Sequence, residues 1–139
     1  MKMKNKPLNI IYVLLLFTFF TCKDNDPCSD IACTTELRTV FMHILDQNDN
    51  PIALDGFQVT NTNDNSNVTI SLTQEEFQFA QQNGRYPLID DLGIGTNETL
   101  ELRFVGIVGS SEVVNELYTV NSDCCHISTV FGRIRIVLE

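Results

Sequence analysis

The stretch Leu100-Glu-Leu-Arg-Phe104 alternates apolar and charged residues with a period of two. In a β-strand successive side chains point to opposite faces, so the apolar residues of this stretch would all lie on one face. The same period holds in Val68–Leu72 and in Ile134–Leu138. These three segments are therefore predicted to be half-buried β-strands.

Further strand-like segments lie on either side of these three. The segment Arg38–Asp46 is rich in strand formers and ends in the turn cluster Asp46–Pro51, after which Leu54–Thr60 has the composition of a second strand. Tyr86–Asp90 and Val113–Val120 are less regular and are predicted as two more strands. About seven short strands with a turn signal every 8 to 12 residues or so predict an all-β chain folded as an antiparallel β-sandwich.

One segment departs from the β pattern. Thr73-Gln-Glu-Glu76 has the form of a capping box, in which the last Glu reaches back to the amide of the Thr. Apolar residues follow at helical spacing, and Asn83-Gly84 supplies a left-handed stop. The sequence predicts one short helix or a long turn, residues 74–82, at the edge of the sandwich.

The first residues resemble an export signal. Three lysines within the first six residues precede the apolar run Ile10–Phe20, whose 11 residues suit a signal peptide. A spanning helix needs roughly 20 residues. The run ends in Phe19-Phe20-Thr21-Cys22, which resembles a bacterial lipobox, in which the Cys receives a lipid and becomes the mature N-terminus. The resemblance implies a lipoprotein signal peptide over residues 1–21, with lipidation of Cys22. An ordinary secretory peptide or an uncleaved anchor is the alternative.

The tract behind that cysteine, Lys23-Asp24-Asn25-Asp26, resembles the surface-export signal of Bacteroidetes-type lipoproteins through Lys23, Asp24 and Asp26. The resemblance implies an outer-membrane lipoprotein displayed at the cell surface. A solvated tether on a periplasm-facing anchor is the alternative. Residues 22–34 are predicted to form the lipidated tether and residues 35–139 the β-sandwich domain.

The net charge limits the partners. A chain of 139 residues favours about one domain. Its formal net charge of −9 argues against nucleic acid, whose binders carry a basic surface. Cleavage after residue 21 would remove three of the nine basic residues and none of the 18 acidic ones, which leaves −12. The lipid, rather than the protein surface, would then hold the chain to an anionic membrane.

The domain also resembles a known group. Thr39–Thr60 (TVFMHILDQNDNPIALDGFQVT) resembles the opening of carboxypeptidase-regulatory-like and transthyretin-like domains, in which a turn ending in Pro joins two strands. Gly84–Asp91 (GRYPLIDD) resembles their Gly-x-Tyr strand, and Val114–Ile127 (VNELYTVNSDCCHI) with the later Gly132 resembles small secreted lipoproteins. The resemblance covers about residues 33–139 and implies the fold more than a function.

The cysteines indicate disulfides. Once Cys22 carries a lipid, Cys28, Cys33, Cys124 and Cys125 remain, and an even number in an exported protein favours disulfide bonds. Of three possible connectivities, the one that joins the adjacent Cys124 and Cys125 is disfavoured. Between the other two we favour Cys33–Cys125 with Cys28–Cys124, because Cys33 adjoins the first strand and Cys125 precedes the last apolar stretch. A zinc site is the alternative, although these spacings match zinc motifs poorly.

Few residues point to catalysis. His43 and His126 are the only side chains that would ordinarily act as bases at neutral pH, and no G-x-S-x-G motif occurs. Asp90-Asp91 is interpreted as a strand-ending turn. Asp46–Asn50 imitates the start of a calcium loop, but Pro51 stands where that loop needs glycine. No catalytic residue, metal ligand or cofactor is predicted.

The sequence therefore predicts a lipid-anchored, extracytoplasmic β-sandwich that acts as a non-enzymatic binding or structural module. Its expected partners are the membrane, reached through the N-terminal lipid, and a surface protein or glycan. An accessory subunit of a surface uptake or adhesion complex is the alternative. A Cys/His enzyme or a metal-binding protein is a third possibility.

Overall fold

Seven β-strands and one helix form within residues 27–139, which are the residues that the structure, a computed structural model, describes. The predicted signal peptide, Cys22 and the export signal lie outside this range. In chain order the elements are β1 (Thr39–Leu45), β2 (Gly56–Asn61), α1 (Gln74–Asn83), β3 (Arg85–Asp90), β4 (Thr99–Val108), β5 (Ser111–Ser122), β6 (Ile127–Phe131) and β7 (Arg135–Val137).

The strands form two sheets, in the orders β3-β1-β7 and β2-β4-β5-β6. Four of the five strand pairs are antiparallel. The exception is β1 with β7, where His43–Leu45 runs parallel to Arg135–Val137. These are the first and last strands of the chain, so no short hairpin forces them to run in opposite directions.

Both sheets contribute to one hydrophobic cluster. Met42 and Ile44 of β1 are fully buried in it, as are Phe104 of β4 and Val120 of β5. The predicted all-β class with a single short helix is confirmed. The face-to-face packing of the two sheets as a sandwich stays a prediction.

The helix α1 begins and ends as its sequence predicts. The Thr73 hydroxyl accepts the Glu76 N–H at 3.2 Å, and the Glu76 carboxylate accepts the Thr73 N–H at 2.7 Å. Gly84 follows in the left-handed conformation, with φ 59°, and its N–H donates to the carbonyl of Ala80. Within residues 27–139, no helix has the length and apolar character needed to cross a membrane.

The prediction of a strand at Val68–Leu72 is wrong. The segment follows β2 as extended chain, and its backbone contact with β2 is the Val68 N–H donating to the Val59 carbonyl at 2.9 Å. Val68 and Leu72 pack against the core, while Ile70 faces a groove described below. The apolar residues of this segment are therefore partly buried without a ladder of strand hydrogen bonds.

Two differences concern the C-terminal third. The strand β6 was not predicted; it pairs with β5 through residues such as Val130 opposite Val120. The strand β7 is shorter than the alternating segment Ile134–Leu138, although the Ile134 carbonyl and the Leu138 N–H still bond the backbone of β1.

Candidate functional site

A polar junction forms where the chain enters β1. We use this name for the Cys33–Cys125 disulfide together with Thr34, Asp91 and His126. Cys33 and Thr34 precede β1, Asp91 follows β3, and the other two residues lie between β5 and β6. The disulfide has an S–S distance of 2.06 Å and a Cα–Cα distance of 5.2 Å, which are ordinary values. It is the bond that the cysteine pattern favours.

Cys28 and Cys124 are also disulfide-bonded. Their predicted pairing with each other stays a prediction. In the part of the chain that the structure describes, no group of three His, Cys, Asp or Glu side chains is suited to hold a metal ion.

Three side chains of the junction form a continuous hydrogen-bonded array. Thr34 Oγ1 lies 2.8 Å from His126 Nε2, and His126 Nδ1 lies 2.8 Å from Asp91 Oδ2. The side chains of His126 and Asp91 are each 10% exposed, whereas Thr34 is exposed. The backbone N–H groups of Arg38 and Ile127 both donate to the Asp91 carboxylate at 2.8 Å. The inner end of the array is thus fixed and its outer end meets solvent.

The Asp91 carboxylate determines which ring nitrogen of His126 carries the proton. Burial by itself would raise the pKa of Asp91, but the N–H groups of Arg38 and Ile127 and the His126 side chain bring it below its ordinary value. An ionised carboxylate only accepts hydrogen bonds, so Nδ1 of His126 carries the proton and donates to it. In the neutral imidazole Nε2 is then the acceptor for the Thr34 hydroxyl.

A tight turn holds the imidazole in place. The Asp123 carboxylate accepts the N–H groups of Cys125 at 2.7 Å and His126 at 2.9 Å. These bonds lower the pKa of Asp123. The Asp123 N–H in turn donates to the His126 carbonyl at 2.9 Å. Hydrogen bonds to Asp123 therefore hold the backbone next to the imidazole, independently of the contacts of the ring itself.

Sequence reasoning missed Thr34 and treated Asp91 as part of a turn. Its neighbour Asp90 does close that turn, since its carboxylate accepts the N–H groups of Leu92 and Gly93. Thr34 and His126 are 92 positions apart, so no local motif predicts their contact. The one available signal was that each directly follows a cysteine of the favoured disulfide.

The second feature is an open groove of about 490 Å³ beside α1, on the face of β1 and β3 that points away from the core. Ligand pockets commonly measure about 300–1,000 Å³. Phe41 pairs with Pro87, and these two side chains face the groove while their neighbours Met42 and Tyr86 face the core. The apolar residues that line the groove are Phe41, Ile70, Leu72, Phe79, Ala80 and Pro87, and the polar ones are Thr39, Glu75, Glu76, Arg85 and Asp90.

The charged residues of the groove differ in how they are used. The Arg85 guanidinium carbon lies 3.8 Å from the centre of the Phe41 ring, in a cation–π arrangement. None of the ion pairs found among residues 27–139 includes Arg85. The Thr73 N–H binds the carboxylate of Glu76 and lowers its pKa, so this side chain serves the helix cap. Phe79 is 60% exposed at the mouth of the groove.

Two other predicted positions are accounted for locally. His43 is exposed on β1 and lies apart from the array. The Asp46 carboxylate accepts the N–H groups of Asn48 at 2.7 Å and Asn50 at 2.8 Å, which closes the turn after β1. This use of Asp46 agrees with the interpretation of the segment as a turn.

Comparison with known protein families, curated protein sequences and solved structures returned no match. The resemblances to lipoproteins and to transthyretin-like domains therefore stay predictions.

Proposed function

We propose that the protein is a lipid-anchored, extracytoplasmic module that binds an apolar, basic segment of a partner protein in the groove beside α1. The observation that carries this proposal is the groove itself, which has the volume of a ligand pocket and exposes aromatic side chains.

The lining of the groove favours an apolar ligand. Six of its eleven lining residues are apolar, and Phe79 keeps 60% of its surface exposed. Burying a Phe side chain contributes roughly 1.5–3 kcal/mol, so an apolar segment that covered Phe79 and Phe41 would gain part of that energy. A glycan, the alternative ligand, would leave much of this apolar lining without a matching surface.

Charge favours a basic segment. The rim carries Glu75 and Asp90, and the chain as a whole has a net charge of −9. A negative field steers basic partners and slows the approach of acidic ones. Arg85 offers one cation inside the groove, and its N–H groups can donate to a backbone carbonyl or to the C-terminal carboxylate of the partner segment.

A site-specific photo-crosslinker tests the groove. It would replace Phe79 in one variant and Leu117, which is exposed to a similar extent at 56%, in the control. Leu117 lies on β5, in the other sheet. In intact cells of the source organism we expect a discrete adduct from position 79 and none from position 117. The proposal is wrong if both positions give the same adducts, or if position 79 gives none.

The anchor has its own test. Metabolic labelling with a fatty-acid analogue should mark the natural chain but not the Cys22→Ala variant. Deletion of residues 23–26 with Cys22 kept should change the protein from protease-accessible to protease-protected in whole cells. Labelling that survives Cys22→Ala would contradict lipidation, and unchanged accessibility would contradict surface export.

A further inference from the structure

We propose that Thr34 is a nucleophile that accepts acyl groups from small carboxylic esters, with His126 as its general base and Asp91 as the residue that positions the base. This activity goes beyond the binding function proposed above and does not depend on it. The observation behind it is the array of hydroxyl, imidazole and carboxylate at the polar junction.

The order of groups is the one that hydroxyl activation requires. A threonine hydroxyl is a weak nucleophile unless a neighbouring base takes its proton, and the base must itself be oriented by a third group. Thr34 Oγ1 lies 2.8 Å from Nε2 of His126, which accepts the hydroxyl proton in the neutral imidazole, and Nδ1 lies 2.8 Å from Asp91 Oδ2. Both contacts are within the range of productive hydrogen bonds before any substrate is bound.

Accessibility agrees with this assignment. The nucleophile must meet substrate, and Thr34 is exposed, whereas the side chains of His126 and Asp91 keep only 10% of their surface. A purely structural hydrogen bond does not require that one partner be exposed and the others shielded. The base therefore lies shielded behind a hydroxyl that faces outward.

The junction also holds its parts rigidly. Cys33 precedes Thr34 and Cys125 precedes His126, so the disulfide joins the residues directly before the two that share the hydrogen bond. A covalent bond one residue away restricts how far hydroxyl and imidazole can separate. Positioning of reacting groups by a fixed scaffold is a large part of enzymatic rate enhancement.

The reaction balances with ester and water alone. Thr34 Oγ1 attacks the ester carbonyl carbon, and its proton passes to His126 Nε2. The bond from the carbonyl carbon to the leaving oxygen breaks, and the alcohol departs with that proton. Water then attacks the acyl-threonine while Nε2 takes its proton, the carboxylic acid is released, and the proton returns to Thr34 Oγ1.

The surroundings favour a short acyl group. A small cavity of about 40 Å³ adjoins Asp91, Cys125 and His126, which is enough for a water molecule. The large apolar groove includes neither Thr34 nor His126 among its lining residues. Acetyl esters, which carry a short acyl group, are therefore the suitable probe.

The experiment treats the purified, disulfide-bonded full chain with p-nitrophenyl acetate and maps the acetylated residues by mass spectrometry. Residues 24–139 contain no lysine, so acetylation of amines would not obscure the map of the domain. The chain supplies matched controls. Thr34→Val is compared with Thr35→Val, a neighbouring exposed threonine, and His126→Gln is compared with His43→Gln, the other histidine.

We expect an acetyl group on Thr34 and not on Thr35. Release of p-nitrophenolate should fall about 100-fold in Thr34→Val and His126→Gln, the size of a typical general-base contribution, and should be unchanged in the two controls. Acetylation of Thr34 that does not exceed that of Thr35 would overturn the proposal, as would a rate that His126→Gln leaves unaltered.

A second pair of variants keeps the test decisive if His126→Gln fails to fold. Thr34→Ser retains a hydroxyl and should still be acetylated at position 34, whereas Thr34→Val, which has nearly the same volume as threonine, should not. Equal rates in these two variants, with the Cys33–Cys125 bond intact in both, would show that the array is only structural.

Discussion

The polar junction and the groove both border β1. The polar side chains of the junction are hydrogen-bonded within the fold, whereas the groove leaves apolar side chains exposed. Asp91 in the junction and Asp123 beside it each accept two backbone N–H groups, and His126 lies between Thr34 and Asp91. In the groove Phe79 stays 60% exposed. The junction uses its residues to fix three chain segments together, whereas the groove leaves apolar surface that the fold itself does not need.

This difference indicates which region contributes to stability and which contributes to binding. A buried polar group must have a partner, and among the described residues every buried side-chain nitrogen or oxygen has one. Exposed apolar side chains need no such partner and are common on protein surfaces. They therefore indicate a binding site only when they line a concave region. Changes in the junction should therefore alter stability, and changes at the groove mouth should alter binding.

The largest effect is expected from the disulfide. Replacement of all four cysteines, Cys28, Cys33, Cys124 and Cys125, by Ala opens a loop with a sequence separation of 92, for which the chain-entropy model gives about 4–5 kcal/mol. In a domain of this size the Tm should fall by about 15 °C or more. Thermal unfolding followed by circular dichroism measures it.

The control for this variant is Asp49→Asn. Asp49 forms an exposed ion pair with Arg135, which is worth less than about 1 kcal/mol. Its φ of 63° lies in the left-handed region, which asparagine tolerates. Equal Tm values for the two variants would show that the junction is not the main source of stability.

The next effect concerns Gly84, the glycine that ends α1. A Cβ atom on Gly84 would lie 2.4 Å from the Ile44 carbonyl oxygen, in a backbone conformation with φ 59°. Left-handed backbone costs roughly 1–2 kcal/mol for alanine, and the collision adds to it. We expect Gly84→Ala to lower the free energy of unfolding by about 3 kcal/mol, measured by urea titration.

Gly109 provides the matched control. It has φ 62°, but a Cβ there would meet nothing within 4 Å. Gly109→Ala should therefore cost only the backbone preference, about 1 kcal/mol. If the two alanine variants unfold at the same urea concentration, the contact between the end of α1 and β1 contributes nothing to stability.

A smaller effect should depend on pH. Because the pKa of Asp91 is lower in the folded chain than its ordinary value of 3.8, unfolding at acidic pH takes up a proton. Stability is therefore complete above that ordinary value and is lost as the pH falls through the folded value. Asp91→Asn should cost about 2 kcal/mol at pH 7, because a neutral amide binds the two N–H groups less strongly.

Urea unfolding at pH 7 and at pH 3 checks this effect. The difference between the natural chain and Asp91→Asn should shrink as the pH falls, since the natural carboxyl also becomes neutral. A difference that stays constant between the two pH values would mean that the charge of Asp91 does not stabilise the junction.

Local signals predicted some parts of the molecule well. The capping box at Thr73 and the left-handed Gly84 bound α1 within one residue of the prediction, because caps are decided by neighbouring residues. The alternation in Leu100–Phe104 correctly predicted β4. The same alternation in Val68–Leu72 failed, because a period of two reflects burial along an extended segment and not hydrogen bonding to a neighbouring strand.

The functional regions were harder to predict. The disulfide could be anticipated because cysteines form pairs, but the contact of Thr34 with His126 depends on how the whole chain is folded. The groove was equally hidden. Within Val40–Leu45 almost every residue is apolar, so the sequence does not indicate that Phe41 faces outward while Met42 faces the core.

The smallest effect on stability is expected at the mouth of the groove. Phe79 is 60% exposed, so Phe79→Ser should change the free energy of unfolding by less than about 1 kcal/mol, which corresponds to a few degrees in Tm. Binding should respond in the opposite way, because the same aromatic surface would be covered by the partner. With the photo-crosslinker moved to Glu75 on the groove rim, the adduct formed in cells should be lost when Phe79→Ser is added and kept when Leu117→Ser is added. A large drop in Tm would mean that Phe79 supports the fold, and an adduct that persists would remove it from the binding surface.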